Sequence, residues 1–217
     1  MIKLVAFDLD GTIGNTIPMC ICALKESAKP YVTKGITNSD IIKTFGLNEE
    51  GMMQKIIGDN WKMALRDFYV IYEQMHTMCP YPFDGITELI TELKLKSIIV
   101  TLITGKGERS CAITLQQFSM EESFNEISFG SPAGNRKAEA MEKQLKDYAL
   151  HPYEMVYVGD AVSDIEACRK VSIRCLSAAW NLSPIDTKRI ESKNDRENIF
   201  YSVKQLRTFL LDNIRKD

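Results

Sequence analysis

Five short, largely apolar runs containing β-branched residues, at 4–7, 98–103, 126–129, 155–158 and 173–176, alternate with longer stretches of helical period. Few architectures accept that pattern. Helices are expected at 109–118, 137–150 and 202–214, and Ile86, Leu89, Ile90 and Leu93 follow the i, i+3, i+4, i+7 spacing of an amphipathic helix. Strands separated by helices imply right-handed crossovers. The expected fold class is therefore α/β, a Rossmann-like parallel sheet core with helices on both faces.

One interval breaks the alternation. From about Asn15 to Met78 no strand pattern occurs, and 17–28, 38–45, 51–57 and 60–78 read as helices. Pro80, Pro82 and Gly85 punctuate the exit from this block, and Gly14 marks its entry. The expected domains are a catalytic core of residues 1–14 and 85–217 and a small inserted α-helical cap at 15–84 with hinge segments. A cap in that place is expected to work as a lid.

At 217 residues the chain has room for an ample core. Its net charge of −2 offers no basic footprint for nucleic acid, and no apolar run is long enough to span a bilayer. The N-terminus enters a strand-like run with no cleavable signal pattern, and the six cysteines are scattered without paired zinc spacing. A cytoplasmic protein with buried, reduced thiols is the expectation, as monomer or homodimer.

Ligands of an open parallel sheet collect at the carboxyl ends of its strands. After the first strand come Asp8, Asp10, Gly11 and Thr12, and after the second Thr104, Gly105 and Lys106. Beyond the third come Asn135, Arg136 and Lys137, and after the fourth Gly159, Asp160 and Asp164. Asp8 and Asp10 are two apart, so both can face one side of a strand end. Clustered carboxylates repel one another unless a cation compensates them, and hard oxygen donors with room for water suit Mg²⁺. GKGERS at 105–110 lacks P-loop spacing, and His76 and His151 are isolated.

These four strand ends carry a resemblance. DLDGT at 8–12, Thr104-Gly105, Lys137 and GDAVSD at 159–164 are similar to the four motifs of the haloacid dehalogenase-like hydrolases. The wording YVGDAVSDIEACRK and PFDGITELITELK resembles the phosphoglycolate phosphatase branch. The resemblance implies a Mg²⁺-dependent phosphatase hydrolysing a small phosphorylated metabolite through an aspartyl phosphate, with phosphoglycolate the first expectation. It implies Asp8 as nucleophile, Asp10 as general acid and base, and Thr104, Gly105 and Lys137 as phosphate-binding groups, with Arg136 or Lys106 as rivals of Lys137. Asp8, Asp10 and Asp160 would hold the metal, Asp10 through its backbone carbonyl, with Asp164 a ligand through water or a partner of the ligands. The chain departs from the family at Asn15, where an aspartate is common. The 44–48 stretch resembles the cap's specificity loop and lacks the arginine of β-phosphoglucomutases. Mutase-like phosphoryl transfer, pyrophosphate hydrolysis and a non-catalytic binding protein are the alternatives.

Overall fold

In β1 (Leu4–Phe7) side chains split by parity, as a strand covered on both faces requires. Val5 and Phe7 enter one buried apolar cluster, and Leu4 and Ala6 enter another. The computed structural model describes residues 1–214. The expected core runs to 217, so its last three residues lie outside those described.

Among the described residues, β1 pairs with β2 (Ile99–Ile103) on one side and β4 (Met155–Gly159) on the other. β3 (Glu126–Ser128) extends the first side, and β5 (Arg174–Ala178) and β6 (Ile199–Phe200) extend the second. All pairings are parallel, and the order is β3-β2-β1-β4-β5-β6. The chain moves outward from β1 to β3 and then returns to β4. The order thus reverses between β1 and β4, where a crevice must open at their carboxyl ends.

Before β2, the chain forms α1 (Ile17–Ala28), α2 (Asn38–Ile42), α3 (Glu49–Ile57), α4 (Trp61–Met75) and α5 (Ile86–Leu95). Then come α6 (Glu108–Gln117), α7 (Lys137–Asp147), α8 (Val162–Lys170), α9 (Pro184–Glu191) and α10 (Val203–Asn213). α5, α6 and α10 cover the face carrying Val5 and Phe7, through Leu89, Leu115 and Leu206 among others. α7, α8 and α9 cover the opposite face, through Met141, Ile165 and Ile190.

Helices α1 to α4 pack on one another and form the strand-free insert. Their buried Met19, Leu24, Met53, Phe68 and Tyr72 belong to the same continuous cluster as Val5 and Phe7. Three expected helices end earlier than their patterns suggest. α7 stops at Asp147 because Ala149 takes φ 51°, and the Leu150 N–H turns back to the Leu145 carbonyl. α2 stops at Ile42, where the Thr44 hydroxyl donates to the Ile41 carbonyl and Gly46 has φ 102°. α4 passes into a 3₁₀ turn at His76–Met78. No helix of the described residues is long and apolar enough to cross a membrane.

Candidate active site

Asp8 follows β1 directly, and the ladder continues into it through its N–H donating to the Val158 carbonyl, 2.8 Å. That fixes the backbone, so the side chain must stand in the crevice. One carboxylate oxygen accepts from the Leu9 N–H at 2.8 Å, and the other from Lys137 Nζ at 2.8 Å. Burial raises the Asp8 carboxyl to about 7, with Lys137 opposing and Asp164 and Asp10 adding to the rise.

Lys137 is the first residue of α7, and its ammonium also meets Asp164 Oδ1 at 2.7 Å. Burial disfavours the ammonium, but Asp164 and Asp8 together outweigh it and hold the lysine well above its ordinary range. Arg136, its rival, instead pairs with Glu139 in the exposed first turn of α7. Asp164 caps α8 by accepting the Ala161 N–H at 3.0 Å, so both of its oxygens are engaged.

Oxygen atoms of Asp8, Asp160 and Asp164 lie within 4.8 Å of one another. Burial, with Asp8 and Asp164 nearby, pushes Asp160 well above the usual carboxylate range. Two glycines permit this crowding. A Cβ on Gly11 would stand 2.1 Å from Asp160 Oδ2, and one on Gly159 would stand 2.4 Å from Asp164 Oδ2. Gly11 also takes φ 76°. Three crowded carboxylates with only Lys137 between them form a donor set that fits a hard divalent cation.

Thr104 follows β2, buried, with its hydroxyl accepting the Lys106 N–H at 3.1 Å. It does not cap α6; Gly107 occupies that N-cap. Thr101, on β2, binds Gln144 of α7 at 2.8 Å and serves the core. Gly105 has Gly130 against its backbone: a Cβ on Gly130 would approach the Gly105 carbonyl oxygen to 1.9 Å. Asp10 accepts the Thr16 hydroxyl and faces Lys106 Nζ at 3.4 Å. Asp8, Asp10, Thr104, Gly105, Lys137 and Asp160 all line one cavity of about 170 Å³. Asp164 sits behind it and supports Lys137 from the protein side.

A family model for haloacid dehalogenase-like hydrolases matches residues 5–178. The chain belongs to that family. It is 20% identical over 181 residues to the phosphoglycolate phosphatase of Synechococcus elongatus, covering 82% of this chain and 84% of that one. It is 23% identical over 183 residues to pyrophosphatase PpaX of Bacillus cereus, covering 83% and 85%. Among solved structures, a haloacid dehalogenase-like hydrolase from Streptococcus pneumoniae superposes with TM-score 0.73 at 20% identity over 96% of this chain and 98% of that one. At that identity the likeness speaks for the fold.

Glu49 of this haloacid dehalogenase-like site escapes a reading of sequence alone, and Lys106, a rival of Lys137 by sequence, is found between two acids that its spacing does not indicate. Lys106 is 3% exposed and lies between Asp10 and Glu49, 3.7 Å from the latter, with its ammonium 4.4 Å from the Tyr72 ring centroid. Glu49, first residue of α3, accepts the Gly107 N–H at 2.7 Å and the Ser110 hydroxyl at 2.5 Å. It therefore reaches from the insert onto the N-terminus of α6, where a carboxylate is favoured. The run TGK hints at Lys106, but nothing in NEEG distinguishes Glu49 from an ordinary acidic first turn. Asn15 is exposed and accepts from Asn181 at 2.9 Å.

Proposed function

We propose that the chain is a Mg²⁺-dependent phosphatase that hydrolyses a small phosphomonoester through a phosphoryl group carried transiently on Asp8. One observation carries this reading. Asp8 is held by a backbone N–H and an ammonium at the reversal point of the sheet, with Asp10 two residues on in the same cavity.

Asp8 would attack phosphorus in line with the leaving oxygen, and the P–O bond to the alcohol breaks as the Asp8 O–P bond forms. Asp10 gives its proton to the departing alkoxide, then takes one from the water that hydrolyses the acyl phosphate. Charge on the transferring group is met by the Thr104 hydroxyl, whose proton is free to donate, the Gly105 amide and Lys137. Lys137, pinned by Asp164, stays aimed at Asp8. Carboxylates of Asp8 and Asp160 and the Asp10 carbonyl would hold Mg²⁺, with Asp164 acting through water or through Lys137. When bound, the ion supplies charge neutralisation at the nucleophile and the phosphoryl oxygens.

Residues 15–84 act in this reading as a cap hinged near 14–15 and 79–85, excluding bulk water during transfer. The small-ester class is supported by the confined cavity and by the likeness to phosphatases. Phosphoglycolate and pyrophosphate are named by the relatives alone, and both carry a second anionic group.

The test is turnover of 4-nitrophenyl phosphate by the purified protein with Mg²⁺ and with EDTA, alongside Asp8→Asn. Wild-type turnover that needs Mg²⁺ and vanishes in the variant supports the reading. Undiminished activity in EDTA would sink the metal assignment, and substantial activity in Asp8→Asn would sink the nucleophile. No turnover on any ester would leave a binding protein of this fold.

A further inference from the structure

The insert supplies one wall of the cavity, and its chemistry is uneven. α1 contributes Ile17 and Cys20, one helical turn apart on one face; the loop before α3 contributes Phe45 and Leu47; α3 contributes Glu49 and Met52. Burial pushes the Cys20 thiol up to about 12, against the pull of Lys106, so it stands there as a neutral, weakly polar group. On the core side Phe129, 38% exposed, joins the lining, as Phe45 at 45% does from the insert. Among the described residues, no lysine or arginine of the insert lines this cavity.

The three cations that do line it come from the core, and each already has a carboxylate. Lys137 serves Asp8 and Asp164, Lys106 lies between Asp10 and Glu49, and Arg136 pairs with Glu139 on the exposed first turn of α7. The wall supplied by the insert thus offers Glu49, already engaged by Lys106, Gly107 and Ser110, and otherwise apolar side chains, with no cation of its own. A second carboxylate or phosphate on the substrate would lose its water there and meet no free cation except by breaking one of these pairs. A neutral alkyl group instead covers the half-buried Ile17 and Leu47 and gains burial.

We infer that the site takes phosphomonoesters of compact, uncharged, apolar alcohols and discriminates against esters whose leaving group bears a second anion. This rests on the phosphatase reading and departs from phosphoglycolate as the substrate.

Isobutyl phosphate and phosphoglycolate make a matched pair, similar in shape and different in one carboxylate. Their non-hydrolysable methylene phosphonates, 3-methylbutylphosphonate and 3-phosphonopropionate, report binding without turnover. Calorimetry with Mg²⁺ present should give the neutral phosphonate at least tenfold tighter binding, and kcat/KM should favour isobutyl phosphate similarly. Leu47→Arg and, as a more exposed alternative, Phe45→Arg should shrink or invert the ratio by supplying the missing cation. Equal or tighter binding of 3-phosphonopropionate by wild type overturns the proposal. So does a ratio that neither arginine changes. If neither ester is hydrolysed while the phosphonates keep their ratio, the hydrolase reading fails and the binding preference stands. If phosphoglycolate is the better substrate, the hydrolase reading stands and the substrate class falls.

Discussion

At Lys137 one buried ammonium answers two carboxylates, 2.8 Å from Asp8 and 2.7 Å from Asp164. Replacing it with methionine would leave both acids facing each other in low dielectric. Loss of one partner of a buried pair costs about 3–5 kcal/mol. Lys137→Met should therefore lower unfolding stability by about that much in EDTA, with Mg²⁺ restoring part of it; urea titrations in the two conditions check this. An equal loss in both would separate the metal from these carboxylates. Asp8→Asn should act oppositely on stability. Burial and two neighbouring acids already disfavour the Asp8 charge, so its removal should raise the metal-free melting temperature while abolishing turnover. The sequence exposes Asp8, Asp10, Asp160 and Lys137 because each follows a strand, where chain order alone predicts convergence. Glu49 does not declare itself, and Lys106 shows by sequence only as a cation after Thr104-Gly105, with no sign of its acidic partners. Their meeting depends on how α3 lies on α6, a packing outcome that no local spacing encodes.

A buried polar seam joins α4 to α6. Thr114 Oγ1 meets the Tyr72 hydroxyl at 2.8 Å and His76 Nε2 at 3.0 Å, while His76 Nδ1 lies 3.1 Å from the Cys79 carbonyl oxygen. Tyr72 and Phe118 pack edge-on against the imidazole. Burial lowers the His76 pKa from its ordinary 6.5, the Cys79 carbonyl resists, Lys106 adds to the fall and Asp10 opposes it. The unfolded chain therefore binds a proton near 6.5 that the folded chain refuses. Stability from this seam is present above that pH and declines as pH falls from 6.5 toward the lower folded value. The raised Asp8 and Asp160 carboxyls push the other way in both proteins, so thermal melts from pH 8 to pH 5 should show wild type losing stability relative to His76→Gln as pH falls. Equal slopes would remove the histidine from the account. At this scale the long helices are legible because their apolar residues repeat over several turns. β6 has two residues, too few for a period of two to register, and it exists because Ser177 and Ala178 offer an open edge.

At the scale of the molecule, the insert touches the core through the 44–49 stretch and through the α4–α6 seam. Asn48 caps α3 by accepting the Gly51 N–H, and its own N–H donates to the Ser131 carbonyl at 3.0 Å. Phe45 and Leu47 consequently stand over the cavity while the aspartates stand under it. That division separates two kinds of change. A substitution in the loop alters what fits beside the leaving group, and one among the aspartates alters the transfer every substrate shares. Leu47→Ala should therefore change KM by different factors for small and bulky alcohol esters, reordering them, with little effect on the Mg²⁺ concentration needed for half-maximal rate. Asp10→Asn should lower kcat on all of them by a common large factor, because each needs the same proton transferred. Asn48→Ala should resemble Leu47→Ala and also lower stability by about 1 kcal/mol through the lost cap. Steady-state kinetics over an ester panel, with Mg²⁺ titrated for each variant, decides the matter. A Leu47→Ala enzyme slowed equally on every ester would place the loop in the shared transfer step. One with its Mg²⁺ requirement shifted tenfold would show that loop and metal are a single unit, so that the apolar wall could not select substrates independently of the chemistry beneath it.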